Sequence, residues 1–331
     1  MSFLQLSIRL VLSLTLLGLL AWGSVALHYQ LSGWLQKCWI ALWCLAGLIT
    51  LVLLWRQRLS VGGLALALLW ALLLVWWNSF QPSNDRQWAA DVAHITHGEV
   101  IGDELLLNNV RNFNWRSDED FDVHWENRRY NLNELESVDL LTSYWGMPAI
   151  AHVMVSFGFK DGQQLLFTVE IRKKQGQQYS EIGGFFKQFE LSIVATDERD
   201  AVRVRTNVRG EDVYLYRINM SHQAMRQLLL AYVEQANQLK QEPRFYNTIT
   251  ANCTTIVFAM VQHIIGGLPM DYRLILSGYL PEYVNAIGGL QAGFSLEQLR
   301  SAGRITDRAK AADQDPDFSA KIRHGVPGYN P

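Results

Sequence analysis

The sequence predicts an α+β domain built on an antiparallel sheet, with a cysteine-bearing helix, preceded by three transmembrane α-helices. Three observations lead there. Residues 1–84 hold three long apolar runs and no acidic side chain. Strand patterning then dominates residues 150–218, and helical periodicity follows it. A run of strands followed by helices points to an α+β layer arrangement rather than to alternating βαβ units.

The apolar runs are Leu10–Leu27, Cys38–Trp55 and Leu59–Trp77. Each approaches the ~20 residues needed to cross a hydrocarbon core, and helices buried in a soluble core rarely lack charge all round. Trp34, Trp39, Trp55, Trp76 and Trp77 lie near the run ends, where amphipathic rings favour the headgroup layer. Arg9 precedes the first run, and Arg56 and Arg58 sit between the second and third. The positive-inside rule puts these on the cytoplasmic side, so the chain leaves the third run on the outer side. The first run also fits a signal peptide, with Ser24-Val25-Ala26 as a small-residue cleavage site; runs two and three alone would still deliver the remainder outside. The expected division is a membrane anchor over 1–80, a linker over 81–90 containing Gln81-Pro-Ser-Asn-Asp85, and an exported domain over 91–331. The predicted location is the bacterial inner membrane, multi-pass, with this domain in the periplasm.

Within that domain a short helix is expected over Trp88–Ile95 and a hairpin over 99–113 around Gly102-Asp103. Residues 116–135, dense in charge, read as an exposed irregular stretch. Strands are expected at 150–159, 164–172, 187–196, 200–206 and 212–218. Met225, Leu228, Leu229, Tyr232, Val233 and Ala236 recur near a 3.6-residue period and predict an amphipathic helix over Ser221–Lys240. A helix over 253–265 follows, and residues 302–331 read as a polar tail over the surface. All 31 acidic residues lie beyond residue 84, and the whole chain carries a net charge of −2. Such a balance gives no footprint for nucleic acid.

Cys38 and Cys44 fall in the second apolar run and read as packing residues. Cys253 is alone in an oxidising compartment, which leaves an intermolecular bridge, an inert buried side chain or a reactive group. A helix start lowers a thiol pKa through its free N–H groups and positive dipole end. Thr250 or Asn252 is a suitable N-cap, which sets Cys253 on the first turn.

A base is needed beside such a thiol. His94 and His97 lie three apart without further ligands at zinc spacing, and His263 is about 15 Å along the thiol's own helix at ~1.5 Å per residue. His152 opens the strand "AHVMVSFGF", and the next strand carries Glu170. A two-residue turn at Asp161-Gly162 would put these two on opposite faces. A three-residue loop, Lys160-Asp161-Gly162 with Gly162 left-handed, pairs His152 with Glu170, Val155 with Phe167 and Phe157 with Leu165. One face is then wholly apolar, and the other carries His152, Ser156, Thr168 and Glu170. A one-residue slip flips every side chain, so the apolar match selects the second register. Thiol, imidazole and carboxylate are the parts of nucleophilic acyl chemistry, which needs no metal and no diffusible cofactor. The plainer alternatives are a small buried residue at a helix start and a surface His–Glu pair.

The order His, Glu, Cys is similar to circularly permuted papain-like folds. The segments "NVRNFNWRSDEDF", "VDLLTSYWGMPAIAHVMVSFGF", "VEIRKKQGQQYS", "GGFFKQFEL", "DERDAVRVRTNVRGEDVYLYRI" and "YNTITANCTT" resemble the periplasmic domain of the Lnb lipoprotein N-acyltransferase family, over about residues 85–330. The resemblance implies a permuted papain-like, NlpC-related thiol fold with Cys253 as nucleophile, His152 as base and Glu170 as third member. It implies acyl transfer from a membrane phospholipid to an amine acceptor such as a lipoprotein amino terminus, through a Cys thioester. In that family the spans follow the domain, whereas here three apolar runs precede it.

Tyr246, Asn247 and Asn252 flank the thiol and are candidates for oxyanion or substrate positioning. Arg203, Arg205 and Arg209 alternate along the expected 200–206 strand and its turn, where guanidinium groups suit a lipid phosphate or pair with carboxylates nearby. Lys173, Lys174 and Tyr179 fit a loop over the cleft or a solvated turn. The alternatives to a transferase are a cysteine hydrolase of the cell envelope (peptidase, amidase or lipid hydrolase) and a non-enzymatic membrane-anchored assembly module.

Overall fold

A computed structural model describes residues 2–56 and 58–329, so the last two residues of the expected domain lie outside it. The chain divides into two compact units. One takes the residues up to Ser83 together with Tyr179–Gln188; the other takes Asn84–Gln178 and the residues from Phe189 on.

The first unit is built on α1 (Phe3–Gln30), α2 (Gly33–Arg56) and α3 (Leu59–Ser79). All three are long and apolar enough to cross a membrane. Arg9 at the start of α1 donates to the carbonyl of Trp55 at the end of α2 (2.6 Å), so the basic ends of these helices lie together. Small residues allow close helix contact without a large side chain between backbones. A Cβ on Gly62 would stand 2.7 Å from the Leu54 backbone. The excursion Tyr179–Gln188 belongs to this unit. Gln30 Nε2 donates to the Phe186 carbonyl (2.6 Å) and Lys187 Nζ to the Trp77 carbonyl (2.8 Å).

The second unit holds an eight-stranded sheet. In chain order the strands are β1 (His97–Ile101), β2 (Glu104–Arg111), the short pair β3 (Asn114–Trp115) and β4 (Phe121–Asp122), β5 (Trp125–Asn131), β6 (Leu135–Tyr144), β7 (Ala151–Phe159), β8 (Gln164–Arg172), β9 (Glu190–Thr196) and β10 (Asp212–Arg217). The spatial order is β1-β2-β9-β8-β7-β6-β10, with β5 on β2 and β3–β4 separate. Every pairing is antiparallel except the β2–β9 contact at Arg111 and Thr196. The helices of this unit are α4 (Glu198–Arg203), α5 (His222–Gln241), α6 (Thr255–Ile265), α7 (Leu280–Ala286), α8 (Leu296–Gly303), α9 (Thr306–Ala311) and α10 (Phe318–Arg323). The α+β class holds.

The centre of the sheet is buried on both faces, and the β7–β8 hairpin shows why. Val155, Phe157, Phe159, Leu165, Phe167 and Val169 pack into the core under α5, against Leu228, Leu229 and Tyr232. Met154 and Leu166 point to the opposite core, with Ala201, Val202, Phe318 and Ile322. Val155 pairs with Phe167 and Phe157 with Leu165, the register that the apolar match selects. Gly162 has φ 87°, and Phe159 N–H donates to the Gln163 carbonyl (3.0 Å), which closes the three-residue loop.

Several expectations are corrected. Trp88–Ile95 holds only a single 3₁₀ turn, Ala90–Val92. The charged stretch 116–135 contributes β5 to the sheet, and β6 is an additional strand beside β7. The segment 200–206 is not a strand: it continues α4 into a π-helical turn, Val204–Val208. Nor does the end of the chain lie loosely over the surface. Phe318, Ile322 and Val326, at spacings of four, drive α10 into the core beneath β7. Arg323 enters with them, almost wholly buried, and its guanidinium meets Glu198 (2.7 Å) and Asp139 (2.9 Å).

Breaking a buried ion pair from one side strands the remaining charge and costs about 3–5 kcal/mol. Arg323→Ala is therefore expected to lower the thermal transition of the detergent-solubilised protein well below that of a surface control such as Lys310→Ala, as followed by circular dichroism. Equal transitions for the two variants would contradict the buried network.

Candidate active site

The ladder between β7 and β8 runs from Gly158 and Gln164 to Met154 and Thr168, and stops there. β6 continues along β7 to Ala151 and β9 continues along β8 to Arg172, so both strands remain held while they part from each other. His152 and Val153 thus face an opening in the sheet. Ser277 braces it: its hydroxyl donates to the Ala151 carbonyl (2.7 Å) and accepts from the Ala151 N–H (2.9 Å). Gly278 N–H adds a bond to the Ala149 carbonyl (2.9 Å). A Cβ on Gly278 would come within 2.0 Å of the Pro148 carbonyl oxygen, so only glycine permits this approach.

Cys253 enters the opening from the α5 side, where it packs against the cores formed with α5 and α6. The regular part of α6 starts two residues after the thiol rather than at it. The turn that carries the thiol is nevertheless capped. Asn252 Oδ1 accepts from the N–H groups of Thr254 and Thr255 (both 2.9 Å), and the Asn252 carbonyl accepts from Ile256 (3.2 Å). Asn252 is thus the capping residue of the turn that carries Cys253.

The imidazole of His152, about nine-tenths buried, lies beside this turn. Its Nε2 is 2.6 Å from Thr168 Oγ1 and 3.2 Å from Glu170 Oε1. Thr168 donates its own proton to Glu170 Oε1 (2.9 Å). The hydroxyl therefore accepts from Nε2–H, an assignment that follows from the bonding pattern and leaves Nδ1 as the acceptor for the thiol proton. The His152 side chain and the Val153 N–H act on the Cys253 thiol and draw its pKa down.

Glu170 is itself anchored. Arg205 reaches it from the π-helical turn (3.3 Å) and pairs on its other side with Glu211 (3.2 Å), which accepts from Ser143. Ser143 lies opposite His152 across the β6–β7 ladder. The chain of contacts from sulfur to Ser143 thus closes around the strand that carries the imidazole.

Three titrations are displaced. Burial, the largest influence on Cys253, raises its pKa, but the hydrogen bond and charge of His152, with the Val153 N–H and Thr254, bring it below the ordinary thiol value. Burial also disfavours the His152 imidazolium and Arg205 adds to this, yet Glu170 and the thiol outweigh both and the pKa is raised. Glu170, which burial alone would raise, is held well below the usual carboxylate range by His152 and Arg205. All three shifts favour a thiolate beside an imidazolium beside a carboxylate.

The other sequence candidates beside the thiol shape the loop that carries it. Asn252 also commits an amide N–H to the Thr248 carbonyl (2.7 Å). Asn247 Oδ1 accepts from Ile249 and Thr250 (both 3.0 Å), shaping the loop ahead of the thiol. Tyr246 ties its backbone N–H to the Phe189 carbonyl (3.0 Å) and packs against the core. The three arginines do not form a phosphate cluster. Arg203 pairs with Asp313 (2.8 Å), Arg209 with Asp118 (2.6 Å), and Arg205 with the two glutamates. The residues not singled out by sequence are Thr168, Arg205 in its role beside Glu170, and Ser277. Thr168 was visible on the polar face of the hairpin; the other two depend on contacts between distant segments. Among the described residues no group of three or more His, Cys, Asp or Glu is placed to hold a metal ion.

A thiol at a capped helix start, an imidazole with one nitrogen turned toward it, and a carboxylate behind the other define a thiol–imidazole–carboxylate site on an antiparallel sheet. The segment that carries all three, residues 121–278, matches the family model described as the Lnb N-terminal periplasmic domain. That match supports the Lnb-type resemblance and, with the three apolar helices, a membrane protein with a periplasmic C-terminal domain. No curated protein and no solved structure matches the chain.

Alkylation by iodoacetamide reads the thiolate directly. Because the Cys253 pKa is lowered, its alkylation is expected to persist as pH falls below the range of an ordinary thiol. Glu170→Gln removes the charge that sustains the imidazolium. The imidazolium then titrates lower and the thiol higher, so the rate at pH 7 falls and the profile moves to higher pH. A profile unchanged by Glu170→Gln would show that the carboxylate has no hold on the pair.

Proposed function

We propose that this protein is a cysteine-dependent acyltransferase of the bacterial inner membrane, anchored by residues 1–80 and acting through a periplasmic domain over 91–331. The observation that carries the reading is His152 Nε2 turned to Thr168 and Glu170, with Cys253 and His152 each shifting the other's pKa toward a thiolate–imidazolium pair. The resemblance to a permuted papain-like thiol fold agrees with it. The acyl donor is a membrane phospholipid and the acceptor an amine such as a lipoprotein amino terminus.

In the first half-reaction His152 Nδ1 takes the thiol proton and the sulfur attacks the ester carbonyl carbon. The backbone N–H of Cys253 serves as an oxyanion donor in this scheme. As the tetrahedral species collapses, the carbon–oxygen ester bond breaks and the imidazolium gives its proton to the departing alcohol of the lyso-lipid. A thioester remains on Cys253. In the second half-reaction the neutral amine attacks that thioester, His152 removes a proton from the attacking nitrogen, and the thiolate leaves. The amide departs and the thiol–imidazole pair is restored. Throughout, Glu170 and Thr168 hold the imidazole tautomer, and Arg205 keeps Glu170 ionised. No metal or diffusible cofactor enters these steps.

After incubation with phospholipid vesicles, intact-mass analysis of the protein is expected to find an added acyl group on Cys253. Hydroxylamine should remove it, as it does a thioester. Cys253→Ala abolishes the adduct, and His152→Asn slows its formation by about 10²–10⁴-fold, the usual contribution of a general base. Loss of the adduct in the presence of an amine, with the amide appearing, identifies a transferase. Release of free fatty acid without any amine identifies a hydrolase. No adduct on the wild-type thiol would refute the acyl-enzyme reading.

A further inference from the structure

Where β6 ends beside the edge strand β10, α7 and α8 leave an open cleft of about 420 Å³. That volume falls in the range of small-molecule sites. Three tyrosines form much of its wall. Tyr144 closes β6 and Tyr214 lies on β10, their rings meeting edge to face at 87° with centroids 5.6 Å apart. Tyr279 adds a third ring from the turn Ser277–Tyr279. Asp212, Glu282 of α7 and Arg300 of α8 supply the charged part. Neither Cys253 nor His152 is among the lining residues, so the cleft is a place apart from the thiol.

What the walls have already committed narrows the choice of ligand. The Tyr214 hydroxyl donates to Asp212 Oδ2 (2.8 Å), and Asp212 Oδ1 accepts from Arg304 (2.8 Å) and Thr306 (2.7 Å). The Tyr144 hydroxyl donates to the Gly278 carbonyl (2.7 Å). The backbone of β10 is covered as well: Val213 N–H donates to Thr306 Oγ1 and its carbonyl accepts from Ile305 N–H (both 2.9 Å). An extended peptide therefore finds no open ladder to join at this point. The charges also answer one another, Asp212 with Arg304 and Glu282 with Arg300 (both 2.8 Å), which leaves little field to hold a free ion.

Aromatic ring surface, a guanidinium and one acceptor remain. Arg300 gives Nη2–H to Glu282 Oε1 (2.8 Å) with its side chain 41 % exposed, and a guanidinium carries five N–H donors in all. Glu282 Oε2 is buried and accepts no hydrogen bond, an exception that asks for a partner. A matching ligand has groups that both donate and accept, carries no net charge, and offers a C–H face to the electron-rich face of a ring. A pyranose has all three properties. We propose that this cleft binds a short neutral saccharide, with a sugar face against the tyrosine rings and neighbouring hydroxyls on Arg300 and Glu282. The site goes beyond the acyl-transfer reading and does not depend on it.

The test uses the full-length protein in lipid nanodiscs, since maltoside and glucoside detergents would compete for the cleft. Saturation-transfer NMR follows titration with triacetylchitotriose, maltotriose and cellotriose. At least one is expected to bind saturably with a Kd of about 1 mM or tighter. Arg300→Lys keeps the charge but loses the planar fork, and should weaken that binding by about tenfold. Tyr279→Ala should weaken it by a similar factor, whereas Lys160→Ala, exposed at the β7–β8 loop, should leave it unchanged. Thermal transitions followed by circular dichroism check that each variant is folded; if Tyr279→Ala is not, Arg300→Lys decides alone. Binding of none of the three sugars overturns the proposal, and so does binding that the folded variants leave unaltered. Tighter binding of tetramethylammonium or of dialanine would assign the cleft to a cation or a peptide instead. Cys253→Ala should bind the sugar as the wild type does, and loss of binding there would move the site to the thiol. An acyl adduct missing from Cys253 leaves this site standing, and a cleft that takes no sugar leaves the nucleophile standing.

Discussion

The register of the β7–β8 hairpin is the constraint on which the site depends. Side chains on a strand alternate, so a shift by one residue would send His152 into the apolar core and away from Thr168 and Glu170. The three-residue loop at Lys160–Gly162 forbids the shift, and so do the paired aromatic and aliphatic side chains that fill the core. A second constraint acts at the other end of the same strands. They separate beyond Met154 and Thr168, where the Val153 N–H helps lower the pKa of the sulfur. The site is thus made by stopping a β-ladder early, with β6 and β9 holding the two loose ends in place.

Charge organises what the register positions. Glu170 is surrounded by His152, Thr168 and Arg205, and Arg205 is shared with Glu211. An isolated carboxylate buried here would protonate, because desolvation disfavours its charge. The imidazole and the guanidinium together prevent this, both reaching Glu170 Oε1 (3.2 and 3.3 Å). Arg205 thus helps keep Glu170 ionised while its own charge opposes the imidazolium. The balance settles in favour of the ion pair, so the buried glutamate is both a tautomer lock and a source of negative potential for the thiolate–imidazolium pair.

How much of this could be read from the chain depends on whether its physics is local. The apolar runs, the α5 periodicity and the hairpin register are local patterns, and each is found where the sequence predicts it. β6 is hidden because Ser137, Asp139, Thr142 and Ser143 interrupt its hydropathy; these residues are buried and polar because partners such as Arg217, Arg323 and Glu211 come from elsewhere. The arginines from 203 to 209 imitate a strand by alternation, yet their carboxylate partners at Asp313, Glu211 and Asp118 fold the segment into a helical turn. At the site itself, Cys253, His152 and Glu170 were legible because one needed only a helix start and one hairpin to place them. Asn252 was legible as a cap but not as unsuited to a second role, since the bond to Thr248 is visible only in three dimensions.

The seat of Arg323 bears on when the domain can mature. Glu198 receives both of its guanidinium bonds from this one residue of α10, and Asp139 shares it with Arg217. A chain emerging across a membrane exposes β6, β7 and α4 long before α10 arrives. Until then the sheet has an uncovered apolar side and an acid with no counter-ion. Phe318, Ile322, Arg323 and Val326 act as a keystone: the sheet that orders the nucleophile, assembled from earlier segments, is braced only once α10 has arrived.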